Sequence, residues 1–267
     1  MAWFALFKPN RRVTRSQARL LTAAWLASFV AAWSASRFDV LPTPAAVFAA
    51  VPVLFTEQGL LGHLASSLYS NLAALAWAAG FGTLFAYASV VPVLRPLGEL
   101  ASKVRFLGFA GVSVAFTLWL EGGHALKVAL VAFGMAGFFV AGLTDEIRAI
   151  PRERYDYART LGLGEWRVVW EVVVLGTLDR ALDILRQNAA MGWMLLTTVE
   201  TLVRSEGGIG VLLANQSKHY ALAQIAALQL VIFAVGMLQD HALGAFKTLV
   251  CPYAALKLED SKHGLRV

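Results

Sequence analysis

Residues 148–171 read RAIPRERYDYARTLGLGEWRVVWE, a polar, arginine-rich stretch set between long apolar runs. Pro151 carries the fixed φ that suits a first helical position, and Arg152 to Leu161 tolerate helix throughout. Gly162 is free to take a left-handed cap, and a second helix can start after Gly164. The stretch therefore predicts two short helices broken at a glycine, a charged elbow held at one surface of an otherwise lipid-soluble chain. Such an elbow implies that something docks there.

Composition places the remainder in a membrane. Hydrophobic residues make up 58% of the chain and charged residues 15%, where a soluble domain carries roughly 25% charged; mean hydropathy is +0.62. Uncharged runs cover 20–36, 64–94, 106–120, 128–144, 187–199 and 219–239. The runs at 64–94 and 219–239 exceed the roughly 20 residues that cross hydrocarbon; the shorter ones rely on charged neighbours that snorkel or face a wet interior. Read as six spans, they give an all-α membrane protein with both termini on one side. All but four of the 23 Lys and Arg fall on the elbow's side, the exceptions being Arg37, Lys127, Arg204 and Lys218. The positive-inside rule then makes the elbow and both termini cytoplasmic. The net charge of +6 reflects that topology and anionic lipid, and cations dispersed among loops exclude a nucleic-acid surface.

The expected organisation is a basic cytoplasmic N-terminus at 1–19, a transmembrane domain at 20–246 that includes the elbow at 148–171, and a cytoplasmic tail at 247–267. The first apolar run, after its basic start, is long for a signal-peptide core and reads as an uncleaved anchor. Leu41 to Glu57, with Pro42, Pro44 and Pro52, reads either as a segment lying along the outer surface or as a connecting loop. Cys251 is the only cysteine, and the five histidines lack metal-ligand spacing. No catalytic triad or glycine-rich phosphate motif appears. No cofactor is expected on this chain, and an ATP-driven machine built on it borrows its ATPase.

Asp156-Tyr157-Ala158-Arg159-Thr160-Leu161-Gly162 resembles the cytoplasmic "E-A-A, three residues, G" signature of ABC-importer permeases, the inner-membrane components of binding-protein-dependent transport systems. LPTPAAV at Leu41 to Val47, Trp166, Glu200 in VETL and GGIG at Gly207 to Gly210 extend the match. Together they look most like the nitrate, sulfonate, taurine and bicarbonate subgroup, over about Leu41 to Asp240. The chain departs in Asp156 where the family usually has Glu, in Tyr157 where it has Ala, and in lacking the usual prolines near Leu175 and Asp179 and in Phe106 to Leu120.

The resemblance implies a MetI-like permease fold of six transmembrane helices in the bacterial inner membrane. It also implies a dimer with a second copy or a related permease, driven by two cytoplasmic ATPase subunits that carry ATP and Mg and fed by a periplasmic or lipid-anchored binding protein. The elbow would be the coupling helix, with Arg152, Asp156, Ala158, Arg159, Gly162 and Trp166 at the ATPase, while Glu200, Arg204, Gly207 and Gly208 would line the pathway or gate. Solute would then pass inward by alternating access.

The residues themselves leave alternatives. Glu200 and Arg204 have the i,i+4 spacing of an intrahelical pair, which either neutralises itself near the outer interface or faces the pathway, where an Arg favours an anion such as nitrate, sulfonate, taurine or bicarbonate. Asp179, Asp183 and Arg186 share a face that either links the elbow to the fifth span or is a solvated helix end. Glu99 and Lys103 suggest a local ion pair, and Asp240 beside His241 suggests an interfacial anchor. Trp166 and Trp170 pin the second elbow helix against the membrane domain or the ATPase. An ion-coupled secondary transporter with Glu200 as carrier, and a scaffold with no transport path, are the rival readings.

Overall fold

A computed structural model describes residues 14–35, 41–107, 109–120 and 122–252, all of it helices and their connections, with no strand among the described residues. The basic residues Lys8, Arg11, Arg12 and Arg37 and the tail from Tyr253 lie outside them.

Helix α1 (Arg15–Ser34) starts at a capping box formed by Thr14 and Gln17. It is exposed along most of its length and is anchored near its end, where the Trp33 indole N–H donates to the Pro42 carbonyl at 3.0 Å. Helix α2 (Pro44–Thr56) is capped by Thr43 and buries Val47, Ala50 and Leu54, a single face at helical spacing. It packs on the last described helix, Leu222–Val250, so the segment 41–57 holds a docked helix rather than a plain connecting loop.

Helix α3 (Leu60–Ala88) is followed by α4 (Arg95–Lys103), a 3-10 turn (Val104–Phe106) and α5 (Phe109–Trp119). The span expected over 106–120 is broken near its start, its helical part being α5. Leu107 takes an extended conformation (φ −72°, ψ 129°), and the axes of Arg95–Phe106 and Gly111–Trp119 diverge by 112°.

Helix α6 (Gly123–Arg148) forms the centre, flanked by α3 and by α9 (Gly176–Leu202). Between α6 and α9 come α7 (Arg152–Thr160), α8 (Glu165–Val168) and a π-helical segment (Val169–Leu175). After α9, a 3-10 turn (Arg204–Glu206) leads to α10 (Ile209–Lys218) and α11 (Leu222–Val250).

In lipid the hydrophobic effect does not drive helices together, so close packing at small residues does much of that work. Gly82 of α3 lies where a Cβ would overlap the ring of Phe139 on α6, and Gly192 of α9 where one would overlap Met135. Leu130, Val131 and Met135 of α6 meet Ala74 and Leu75 of α3 and Leu196 and Val199 of α9 in the main core. A second core, with Phe139, Leu143, Ile147 and Val173, sits toward the α7–α8 end.

Among the described residues three helices, α3, α6 and α11, are long and apolar enough to cross a membrane, or four spans if the bent α4–α5 pair counts as one. Helices α1 and α9, with 20 and 27 residues, have the length. Polar and charged residues dilute them, most heavily in the first half of α9 with Asp179, Arg180, Asp183 and Arg186.

Candidate functional site

The costliest groups in an apolar bundle are charges, and two of them meet where α6 begins and α9 ends. Lys127 and Glu200 are both fully buried, with Lys127 Nζ 3.3 Å from Glu200 Oε1. Ser67 of α3 donates its hydroxyl to the same oxygen at 2.7 Å. The Gly210 backbone N–H donates to Glu200 Oε2 at 2.8 Å, and the Ile209 N–H to Ser67 Oγ at 2.8 Å. The Gly208 N–H donates to His63 Nδ1 at 3.0 Å. Lys127 also donates to Ser66 Oγ at 3.2 Å.

Of the N–H groups left unpaired at a helix start, those of Gly208, Ile209 and Gly210 at α10 are thus met by groups on α3 and α9, and one carboxylate ties four helices together. The glycines make room for it. Gly208 has φ 124°, and a Cβ there would overlap the Glu200 carboxylate. A Cβ on Gly210 would overlap the Thr197 carbonyl, and one on Gly207 (φ 65°) would press on His63 at 3.2 Å.

This arrangement corrects the expected Glu200–Arg204 pair. Helix α9 ends at Leu202, so Arg204 falls in the following turn, exposed, with its Nε donating to the Thr201 carbonyl at 3.1 Å. The partner of Glu200 is Lys127, one of the four cations that the charge count puts on the side opposite the elbow. An apolar run beginning at Val128 concealed it, because Lys127 sits one turn inside α6 and faces the bundle.

At the opposite end, Gly162 has φ 75° and separates α7 from α8, the break the sequence marks. Arg159 brackets the turn. Its Nε and Nη2 donate to the two Glu165 oxygens at 2.9 and 3.1 Å, and Nη1 to Asp156 at 3.2 Å. The Arg159 hydrogen bond and charge hold the Glu165 carboxyl below its usual range. Tyr155 packs α7 against the second core, and Ala158, expected at the ATPase, is instead buried, its carbonyl accepting from the Leu163 N–H across the turn, whereas Arg152, Asp156, Tyr157, Trp166 and Trp170 are exposed. Trp166, 77% exposed, is therefore not pinned to the described part of this chain.

Two further ion pairs join α9 to α11. Arg186 is bidentate on Asp240, and Lys247 pairs with Asp183. The charged face of α9 thus fastens α11 rather than the elbow. His241 does not pair with Asp240, its Nδ1 lying 2.9 Å from the Met237 carbonyl. Glu99 pairs with Arg95 and with Arg148 across to α6, not with Lys103. Deep in the bundle, Trp193 Nε1 donates to Gln239 Oε1 at 2.7 Å and Gln239 Nε2 to Asn71 Oδ1 at 3.1 Å, a polar link through α9, α11 and α3. Among the described residues no group of His, Cys, Asp or Glu is arranged to hold a metal ion.

An all-helical bundle with several membrane-crossing helices, a sealed polar latch at one end and a charged helix–turn–helix at the other defines a multi-pass membrane protein. Residues 23–239 match the family described as binding-protein-dependent transport system inner membrane component, and the chain belongs to that family. It is 26% identical over 207 residues to the taurine transport system permease protein TauC of Escherichia coli K12, covering 76% of this chain and 74% of that one. It is 23% identical over 206 residues to a putative aliphatic sulfonates transport permease protein, SsuC, of Bacillus subtilis 168, covering 75% and 73%. A putative ABC transporter permease protein of Methanocaldococcus jannaschii is 25% identical over 199 residues, 70% of this chain and 73% of that one. The chain is accordingly a permease subunit of an ABC importer that passes a small solute, not itself an enzyme, and its partners are an ATPase and a solute-binding protein.

Proposed function

We propose that this permease imports a small organic or inorganic anion of the sulfonate type, as part of a dimer of six-span subunits with cytoplasmic termini, by alternating access. The observation that carries the coupling part is the α7–Gly162–α8 unit: it is seated through Tyr155, braced by Arg159, and presents Tyr157 and Trp166 outward. In this reading Arg152, Asp156, Arg159, Gly162 and Trp166 meet the ATPase, which carries ATP and Mg, while this chain binds no cofactor. Alpha1 and the other apolar faces left bare in the single chain face lipid or the second permease. The two relatives named for taurine and aliphatic sulfonates support the solute class.

Glu200, Gly207 and Gly208 act in this account as a latch that fixes α10 at the outer end of the pathway. Glu200 is engaged on both oxygens, which suits a latch and not a proton carrier. The test is reconstitution of the permease with its ATPase and binding protein in vesicles and measurement of labelled taurine and methanesulfonate uptake. ATP-dependent uptake of either supports the reading. Uptake driven by an ion gradient without ATP overturns it, and ATP-dependent uptake of neither removes the anion assignment.

A further inference from the structure

Gly137 occupies the middle of the uncharged stretch 128–144 of α6, and the break between α4 and α5 packs there. A Cβ on Gly137 would lie 2.8 Å from the backbone N of Arg105. Helix α6 has 26 residues and so is about 39 Å long at 1.5 Å per residue; Gly137 is about 21 Å from its start, near its middle, and a helix centred on a hydrocarbon layer roughly 30 Å thick holds that residue near mid-depth. Arg105 therefore lies near mid-depth, which corrects its place among the cytoplasmic cations of the charge count. It is exposed, and no acid among the described residues pairs with it.

An arginine with no partner facing lipid at that depth is costly, and intramembrane charges almost always face a bundle interior or a water-filled path. The surroundings of Arg105 agree. Its guanidinium lies 5.1 Å from the centroid of the Phe106 ring, which orients the cation and leaves its N–H groups free. Beside it is a cavity of about 210 Å³ whose walls include Leu107, Phe133, Met191 and Met194, with Arg105 as the one charged lining residue. Helical backbone broken at membrane depth is tolerated where it lines such a cavity.

We propose that Arg105, carried on the broken α4–α5 span, is the anion-contacting residue of the translocation path, its guanidinium meeting the oxyanion headgroup of the solute at the membrane midplane. The inference rests on the importer reading and moves the anion-selective cation from Arg204 to Arg105. Planar, multiply donating guanidinium suits a sulfonate or carboxylate headgroup, and a single cation in an apolar cavity gives attraction without a trap, as passage requires.

The test reads the site independently of the natural solute. Leu107→Cys is placed in a Cys251→Ala background, and its modification by an anionic sulfonate-bearing methanethiosulfonate and by a cationic trimethylammonium counterpart is followed with Arg105 present, with Arg105→Lys and with Arg105→Gln. The proposal expects the anionic reagent to react about tenfold faster with Arg105 or Lys than with Gln, and the cationic reagent to show the reverse order. No reaction with either reagent, or rates indifferent to residue 105, overturns it. Copurification of the ATPase with each variant is measured in parallel. If the ATPase is held while the rate ratio does not move, the Arg105 role fails and the importer reading stands; if no variant, nor the parent, holds an ATPase, the importer reading itself fails.

Discussion

The ammonium of Lys127 on α6 and the carboxylate of Glu200 on α9 sit 3.3 Å apart with neither reaching solvent, and Glu200 passes that anchorage on to the first turn of α10. Breaking a buried pair by removing one partner leaves an uncompensated charge, which costs about 3–5 kcal/mol, whereas removing both is much cheaper. Lys127→Met should therefore lower the thermal midpoint of the detergent-solubilised protein sharply. Adding Glu200→Gln, whose amide oxygen can still accept from the Gly210 N–H while its NH2 donates to Ser67 Oγ, should restore most of the loss. Equal midpoints for the single and double variants would contradict the pairing.

The glycines of the latch are expected to be intolerant for steric reasons. Gly208→Ala and Gly210→Ala force a Cβ into Glu200 or the Thr197 carbonyl and should yield aggregated protein on size exclusion. Gly62→Ala meets nothing within 4 Å and should behave as the parent.

The Arg159–Glu165 bracket is predicted to be acid-labile. Because Arg159 lowers the folded Glu165 carboxyl, the bond's contribution is complete above the ordinary carboxylate range and is lost as pH falls through the lowered value. Both groups are exposed, so global stability should hardly move. Spin labels on α7 and α8 should show a broader distance distribution at acid pH and in Glu165→Gln at neutral pH. A distribution unchanged in both would remove the bracket.

How much of this was legible beforehand differs by element. The α7–Gly162–α8 break could be read directly, because Pro151, Gly162 and Gly164 punctuate a polar segment whose helices are local. Glu200 could be singled out by cost alone, a lone acid in an apolar run. Its partner could not, because Lys127 is 73 residues away and the i,i+4 spacing offered Arg204 as a local decoy that the end of α9 at Leu202 removes. The break at the start of the apolar run 106–120 leaves no mark in the composition, which carries no sign of the extended Leu107. Arg186 and Asp240 are each visible as charges near span ends, but only the packing of α11 on α9 brings them together.

The central claim is that the turn at Gly162 transmits the work of an ATPase, and ATP hydrolysis stimulated by binding protein in the reconstituted complex tests it most directly. The left-handed φ of 75° at Gly162 leaves open space around a Cβ, so any penalty there is backbone strain. A β-branched side chain in that region costs on the order of 1 kcal/mol or more, whereas Asn tolerates it. The account predicts that Gly162→Val inserts and solubilises normally but loses stimulated hydrolysis, and that Gly162→Asn retains most of it. Full stimulation in Gly162→Val would contradict it.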